Sequence, residues 1–203
     1  MKANEYLDLI RSDMHRYSGN SSFRSYIYDY FFIPGFKYCF WMRTCLFLHS
    51  RMISKILLFP IARLILNHYQ YKFGISISYQ TKIDKGLYIG HFGGIVVNPL
   101  AVIGKNCNIS HEVTIGSSNR GQKRGVPVIG DNVYIGPGAK IFGNIRIGNN
   151  VAVGANCVVT KDVPDNGIIV GIPGEVISWD GSAGYVNNTD YQGTTVIEEN
   201  KNE

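Results

Sequence analysis

An aliphatic residue returns at every sixth position through the middle of this chain, and that spacing constrains the fold more than any other feature. The series, which has two breaks, comprises Ile77, Ile83, Ile89, Ile95, Ile103, Ile109, Ile115, Ile129, Ile135, Ile141, Ile147, Val153 and Val159. Glycine follows seven of these thirteen residues, which suits tight, repeated turns. A period of six fits neither a single α-helix nor a hairpin meander, whereas a short fixed period is typical of a solenoid.

The two breaks predict where the solenoid departs from regularity. A spacing of eight after Ile95 predicts a two-residue insertion near Asn98-Pro99. A spacing of fourteen after Ile115 predicts that residues 117–127 leave the repeat as an exposed loop. The basic residues of this loop are Arg120, Lys123 and Arg124, and the loop contains no carboxylate.

A chain of 203 residues suits one domain with an appendage. We divide it into a helical region at 1–73, a solenoid domain at 74–177 and a polar tail at 178–203. Of the four cysteines, Cys107 and Cys157 fall at an inward position of the repeat, where a thiol acts as a small apolar filler. The cysteines have no Cys-x-x-Cys spacing, which indicates a reducing compartment rather than disulfides or a zinc cluster.

The N-terminus shows no export signal, because Glu5 and Asp8 stand where the apolar core of a signal peptide would lie. We therefore expect a cytoplasmic protein.

Residues 36–72 are strongly apolar, yet no uncharged run reaches the ~18 residues that a spanning helix needs. No acidic residue occurs between Asp29 and Asp84. Two alternatives follow: the segment packs on the first coil and on partner subunits, or it also rests on an anionic membrane surface.

Two histidines occupy equivalent positions on successive coils. Counting hexads places Ile89, Ile109, Ile135 and Val153 on one face. His91 and His111 each follow such a residue by two positions, so we expect them to stack roughly one strand spacing apart and to point outward. The same position in the next two coils holds Pro137 and Ala155. A general base beside an extended thioester cofactor needs such an arrangement, although two exposed histidines can also share a face by coincidence.

The segment GLYIGHFGGIVVNPLAVIGKNCNISHEVTIG and, after the loop, VPVIGDNVYIGPGAKIFGNIRIGNNVAVGANCVVTKDVP resemble the serine acetyltransferase branch of the hexapeptide-repeat acyltransferases. The resemblance covers residues 75–175. It implies a mainly β fold, a left-handed parallel β-helix, preceded by an N-terminal helical region. It also implies acetyl transfer from acetyl-CoA to a hydroxyl group without a metal, in homotrimers or larger assemblies whose sites lie between two protomers.

The resemblance also implies roles for individual residues. His91 matches the family's catalytic histidine, the base that takes the proton of the acceptor hydroxyl. His111 is a candidate second catalytic or substrate-orienting residue, or else a histidine bonded to the loop or to the adjacent protomer. The candidate cofactor-binding residues are Gly116, Ser117, Pro137, Ala139, Ala155 and Lys161. The candidate substrate-binding residues are Arg120, Lys123 and Arg124, since a cationic loop suits a neutral or anionic glycan.

Three departures from the family pattern bear on the acceptor. Gly90 stands where the family has an aspartate before its histidine, Ser76 where it has a second aspartate, and Val126 where it has a second histidine. Glycine cannot replace a carboxylate that binds the amino group of serine. We therefore predict an O-acetyltransferase of the polysaccharide type, acting on a sugar hydroxyl of a surface polysaccharide or its precursor, with serine O-acetyltransferase as the enzymatic alternative.

Two further alternatives belong to different classes of protein. A non-catalytic solenoid scaffold would neither hydrolyse nor transfer acetyl-CoA. A metal site like that of the γ-carbonic anhydrases needs three histidines, and the repeat carries only His91 and His111. We expect no nucleic-acid partner.

Overall fold

The computed structural model describes residues 1–20 and 22–191, so residues 192–203 of the predicted polar tail lie outside the described part. In the described part, helices come first and short strands follow. The helices are α1 (Ala3–Ser18), α2 (Phe23–Phe32), α3 (Pro34–His49), α4 (Met52–Leu57) and α5 (Phe59–Phe73). The strands are β1 (Ile75–Ile77), β2 (Lys82–Ile83), β3 (Tyr88–Ile89), β4 (Ile95–Val97), β5 (Val102–Ile103), β6 (Asn108–Ile109), β7 (Thr114–Gly116), β8 (Val128–Ile129), β9 (Tyr134–Ile135), β10 (Lys140–Phe142), β11 (Arg146–Ile147), β12 (Ala152–Val153), β13 (Val158–Val159), β14 (Ile168–Val170) and β15 (Glu175–Ser178).

These strands form three sheets that wrap around one core. The first sheet has the order β1-β4-β7-β10-β13, the second β2-β5-β8-β11, and the third β3-β6-β9-β12-β14-β15. All pairings are parallel except that of β14 with β15. Because neighbouring strands lie three elements apart along most of the chain, each coil gives one strand to each sheet. The predicted parallel β-solenoid is confirmed.

The hexad residues fill the interior of the coils. All thirteen members of the series are buried, and the register pairs Ile89 with Ile109, Ile109 with Ile135, and Ile135 with Val153. The predicted grouping of these four residues on one face is therefore confirmed. Cys107 is also buried in the interior as a free thiol, and burial raises its pKa to about 12.

The two-residue insertion lies one corner earlier than the spacing predicts. Ile115 pairs with Val97 and not with Ile95, and Val97 pairs in turn with Ile77 of the first coil. The long step therefore runs from Ile89 to Val97, and the prediction of an insertion near Asn98-Pro99 is wrong. The pattern misled because Ile95 and Val97 both point inward and are both buried, so the sequence offers two residues for one register position.

The helical region covers the N-terminal edge of the solenoid. Each strand of the first coil hydrogen-bonds to one side chain from a helix. The hydroxyl groups of Tyr38 and Tyr17 bond the backbone N–H and carbonyl of Ile77 in β1 and of Ile89 in β3, respectively. Arg43 donates to the carbonyl of Ile83 in β2. An exposed edge of parallel strands would leave backbone groups unpaired, so these bonds stabilise the end of the solenoid.

A buried ion pair fixes α1 and α3 to this edge. Arg43 donates to both carboxylate oxygens of Asp13, at 2.9 and 3.2 Å, and Asp13 also accepts the backbone N–H of Leu87 at 2.8 Å. The side chains of both partners are almost completely buried, at 2% and 0% exposure. Burial opposes the charge of Arg43, but the Asp13 carboxylate raises the pKa of the guanidinium above its usual value.

The described part of the tail packs along the solenoid. Tyr185 stacks on Tyr134 of the third sheet with ring centroids 4.7 Å apart, and the backbone carbonyl of Asn187 accepts a hydrogen bond from Arg16 in α1. In the region that the structure describes, none of the helices has the length and apolar character needed to cross a membrane.

Candidate active site

His91 and His111 lie at the corner where the third sheet turns into the first. His91 follows β3 and His111 follows β6, and these strands are paired with Ile89 opposite Ile109. The two rings are 6.0 Å apart between centroids and nearly perpendicular, at 78°. His91 is exposed and His111 is half-buried. The structure thus brings both histidines to one outer corner on neighbouring coils.

The column continues with small side chains. The pairing of Ile109 with Ile135 and of Ile135 with Val153 puts Pro137 and Ala155 at the same corner of the next two coils. Pro137 is half-buried and Ala155 is exposed. The column that begins with the two histidines therefore continues with two small side chains on the next two coils.

The insertion lengthens the histidine corner itself. Gly93 and Gly94 both have positive φ angles, 111° and 65°, which favour glycine. The carbonyl of Gly93 accepts the backbone N–H of Glu112 at 2.7 Å, and a Cβ atom on Gly94 would lie 3.2 Å from the Glu112 side chain. Phe92 packs on Phe73 at the end of α5, with centroids 5.4 Å apart. The helical region therefore contributes directly to the position of the corner that carries His91.

His111 carries a ring nitrogen that has no internal partner. Its Nδ1 is buried and makes no hydrogen bond to any described residue, while its backbone carbonyl accepts the N–H of Gly138 at 3.0 Å. A buried polar atom without a partner costs about 1–3 kcal/mol.

An aromatic ring occupies the space that a side chain at position 90, directly before His91, would need. A Cβ atom on Gly90 would lie 3.0 Å from Cε1 of Tyr88, and the Tyr88 ring is itself held against Tyr17 at a centroid distance of 4.6 Å. Ser76, at the other expected aspartate position, points outward from β1, and Val126 is half-buried at the end of the loop. The resemblance leads us to expect carboxylates at positions 90 and 76 and a histidine at position 126, and the chain has none of these three groups.

A groove of about 480 Å³, lined by both polar and apolar residues, lies on the outer face of the first sheet, beside α5. Its lining includes hydroxyl, amide and aromatic groups: Gln70, Ser76, Ser78, Asn98, Thr114, Gly116, Ser117 and Phe142. Arg63 supplies the charge in this lining, which includes no carboxylate. Gly116 is required here, because a Cβ atom would lie 2.3 Å from the Phe142 ring.

Sequence reasoning missed the two groove residues from α5. Arg63 and Gln70 are seven positions apart, which is two helical turns, so they share one face of α5, on which Arg63 also donates to Asn67. That spacing of polar residues was the available signal. Gly116 and Ser117 line this groove, whereas Pro137 and Ala155 belong to the histidine column, so the predicted cofactor residues fall on two sides of the first sheet.

Other predicted site residues are already engaged within the chain. Ala139 is fully buried inside its coil, so its side chain fills the core. Lys161 forms an ion pair with Glu175 at 2.7 Å, and Lys123 forms one with Asp162 at 3.0 Å.

The loop 117–127 is closed by paired backbone bonds between Ser118 and Gly125, and Arg120 and Arg124 are exposed on it. Within residues 1–20 and 22–191, no three histidine, cysteine or carboxylate side chains cluster in a way that would hold a metal ion.

Fold and site together define a parallel β-solenoid with an N-terminal helical region and a histidine pair at one outer corner. The family described as "Bacterial transferase hexapeptide (six repeats)" matches residues 127–161. A serine acetyltransferase of Staphylococcus aureus (strain Mu50) is 44% identical over 108 residues, which is 53% of this chain and 51% of that protein. This chain spans about half the length of such sequence relatives.

Solved structures match over a larger part of the chain. The serine acetyltransferase of Neisseria gonorrhoeae in complex with serine is 30% identical, has a TM-score of 0.70, and is matched over 87% of this chain and 70% of its own. The serine acetyltransferase of Brucella abortus strain S19 in complex with coenzyme A is 27% identical, with a TM-score of 0.71 and coverage of 87% and 69%. The chain belongs to the hexapeptide-repeat transferases, in the family of the serine acetyltransferases. These comparisons give no support to the polysaccharide O-acetyltransferase branch.

Proposed function

We propose that this protein transfers an acetyl group from acetyl-CoA to a hydroxyl group, with His91 as the general base. His91 takes the proton of the acceptor hydroxyl as its oxygen attacks the thioester carbonyl carbon. The tetrahedral intermediate then collapses, the C–S bond breaks, and the imidazolium returns the proton to the leaving thiolate. The products are the acetyl ester and free coenzyme A, so atoms and charge balance without a metal or an oxidant.

The observation that carries this proposal is the histidine pair at one corner of the solenoid. His91 is exposed and open to substrates, and the half-buried ring of His111 lies beside it with the two ring centroids 6.0 Å apart. Neutral imidazole is common near pH 7, which suits a base of this kind. We assign His111 the role of orienting the acceptor or His91.

We place acetyl-CoA along the histidine column, where the small side chains of Pro137 and Ala155 leave room for an extended chain. The Gly116–Ser117 step, at the other end of β7, lines the separate groove beside α5. The coenzyme A complex of the Brucella abortus relative supports the same donor. In this proposal Lys161 binds a phosphate of the cofactor, which requires that its ion pair with Glu175, at 2.7 Å, breaks first.

Two acceptors are candidates, and the comparisons support serine better than a sugar. The relatives carry the name serine acetyltransferase, and one of them binds serine in its crystal structure. Serine O-acetylation is therefore the first acceptor reaction to test.

One observation favours a sugar hydroxyl as the second candidate. The space next to Gly90 is occupied by the ring of Tyr88, and Ser76 replaces the other expected carboxylate. Without these carboxylates, the site lacks two charged hydrogen-bond acceptors for the ammonium group of serine. Arg120 and Arg124 on the loop and Arg63 in the groove suit a neutral or anionic acceptor.

We also propose that the protein works as a homotrimer or a larger assembly. The support is the resemblance to enzymes whose sites lie between protomers and the openness of the corner that carries His91. A light-scattering mass of one protomer, with full activity at the same concentration, would rule this arrangement out.

The deciding experiment follows thiol release from acetyl-CoA with serine and with a panel of sugars. We expect His91→Ala to lower the transfer rate by about 10²–10⁴-fold, the usual contribution of a general base. His68→Ala is the matched control, since His68 is an exposed histidine on α5 outside the corner. Equal activity of His91→Ala and wild type, or no transfer to any acceptor, would refute the proposal. Transfer to serine or to a sugar decides between the two acceptors.

A further inference from the structure

We propose that an exposed apolar surface of the helical region binds an anionic lipid membrane. The surface, called here the α4–α5 patch, consists of Met52, Ile53, Ile56, Leu57, Leu58, Ile61 and Leu64. Each of these side chains is more than half exposed, and Met52 reaches 83%. Large apolar side chains concentrated on one surface mark a site of interaction.

The α4 helix gains little from the rest of the described chain. It has six residues, and none of its side chains is buried. A helix this short is marginal in water unless an apolar face is covered. One contact to the rest of the helical region is made by Ser54, whose hydroxyl donates to the carbonyl of Leu48 at 3.0 Å. The apolar side of α4 is therefore arranged for a surface outside the protomer.

The charges around the patch select the kind of partner. Arg51 and Lys55 border it, and no acidic residue occurs anywhere between Asp29 and Asp84. The Arg51 guanidinium lies over the Phe47 ring at 4.7 Å, so its position beside the patch is defined. A second copy of the same patch would bring cations against cations, whereas an anionic lipid surface offers opposite charge and an apolar layer beneath it.

The patch also has the shape for shallow insertion. Arg51, Met52, Ile53, Ser54, Leu57 and Leu58 line an apolar groove of about 530 Å³. Aliphatic side chains of α4 can enter the boundary between headgroups and acyl chains while Arg51 and Lys55 remain at headgroup level. The proposed contact is thus peripheral and lies in the plane of the membrane.

The test uses the full chain and unilamellar vesicles of phosphatidylcholine, with or without phosphatidylglycerol. We expect sedimentation with the anionic vesicles at low salt, weaker binding at high salt, and little binding to phosphatidylcholine alone. Lys55→Glu should weaken binding at least about fivefold, from the contribution of a basic residue near an anionic surface. Ile53→Glu combined with Leu57→Glu should weaken it at least about tenfold, because two apolar contacts are lost.

Ile177→Glu is the matched control, since Ile177 is an isoleucine on β15 with 65% exposure, in the last coil. It should bind vesicles like wild type. The idea fails if wild type ignores anionic vesicles at low salt, or if the Ile53→Glu/Leu57→Glu protein binds them unchanged. It also fails if those two substitutions leave lipid binding absent but reduce the mass of an oligomer, since the occupant is then a second copy. The Ile53→Glu and Leu57→Glu substitutions should not change the rate of acetyl transfer measured without vesicles. His91→Ala should still bind vesicles. These two results separate the membrane proposal from the catalytic one.

Discussion

The buried pair of Asp13 and Arg43 allows a quantitative prediction for Asp13→Asn. The asparagine has nearly the same shape, but it leaves the Arg43 guanidinium charged and 2% exposed without a carboxylate. Two charge-assisted hydrogen bonds, at 2.9 and 3.2 Å, are lost or weakened. Each such bond contributes about 1.5–3 kcal/mol, and breaking a buried pair by removing one partner costs about 3–5 kcal/mol. We expect the free energy of unfolding to fall by about 3–5 kcal/mol.

Thermal unfolding followed by circular dichroism measures this change. For a chain of this length, roughly 2–4 °C of Tm corresponds to each kcal/mol, so Tm should fall by roughly 6–20 °C. Asp8→Asn is the matched control, because Asp8 is exposed on the same helix, and it should change stability by no more than about 0.5 kcal/mol. If Asp13→Asn unfolds within about 1 kcal/mol of wild type, the pair does not fix the helices to the first coil and the reasoning is refuted.

Three further predictions follow from contacts described above. Gly116→Ala should lower the free energy of unfolding by about 1–3 kcal/mol and raise the KM for acetyl-CoA, because the new Cβ would lie 2.3 Å from the Phe142 ring. Adding Phe142→Ala should restore the stability. If Gly116→Ala alone has no effect, the Phe142 ring moves freely. Burial raises the pKa of Cys45 to about 11 and that of Cys107 to about 12, so iodoacetamide at pH 8 should modify neither thiol until denaturant is added, as mass spectrometry can determine. The N–H of Arg146 and the ammonium of Lys123 lower the pKa of Asp162, so the stabilisation that Asp162 gives to the loop is present above its ordinary pKa of 3.8 and is lost as the pH falls through the lowered value. At neutral pH, Asp162→Asn should speed tryptic cleavage within 117–127 up to about fivefold, and an unchanged cleavage rate would show that the ion pair does not hold the loop.

The histidine corner shows both what the hexad period predicts and where it fails. Hexad counting predicted that His91 and His111 share a face, since the period carries that information directly. Counting placed the insertion near Asn98-Pro99, whereas the register puts it next to His91. Two buried aliphatic residues, Ile95 and Val97, both satisfy the pattern, and only strand pairing distinguishes them.

The charged candidates show the opposite limitation. The resemblance implies that Lys123 binds substrate and that Lys161 binds cofactor, but each lysine has a carboxylate partner within the chain. No local pattern predicts such a pairing, because Asp162 lies 39 residues after Lys123. The spacing of Arg63 and Gln70 marks a polar face of α5, but the place of Arg63 in the groove depends on the packing of α5 beside β1.

The sequence by itself determined the solenoid, the inward and outward positions along it, and the column that begins with His91. It could do so because each hexad position repeats one local environment, and a repeated local environment leaves a period in the chain. Tertiary structure alone decided the register at the enlarged corner, the ring of Tyr88 next to Gly90, and the exposure of α4. The register follows from the pairing of β4 with β7, the Tyr88 ring lies against Tyr17 of α1, and α4 has no buried side chain. Packing geometry, not residue type, determines all three.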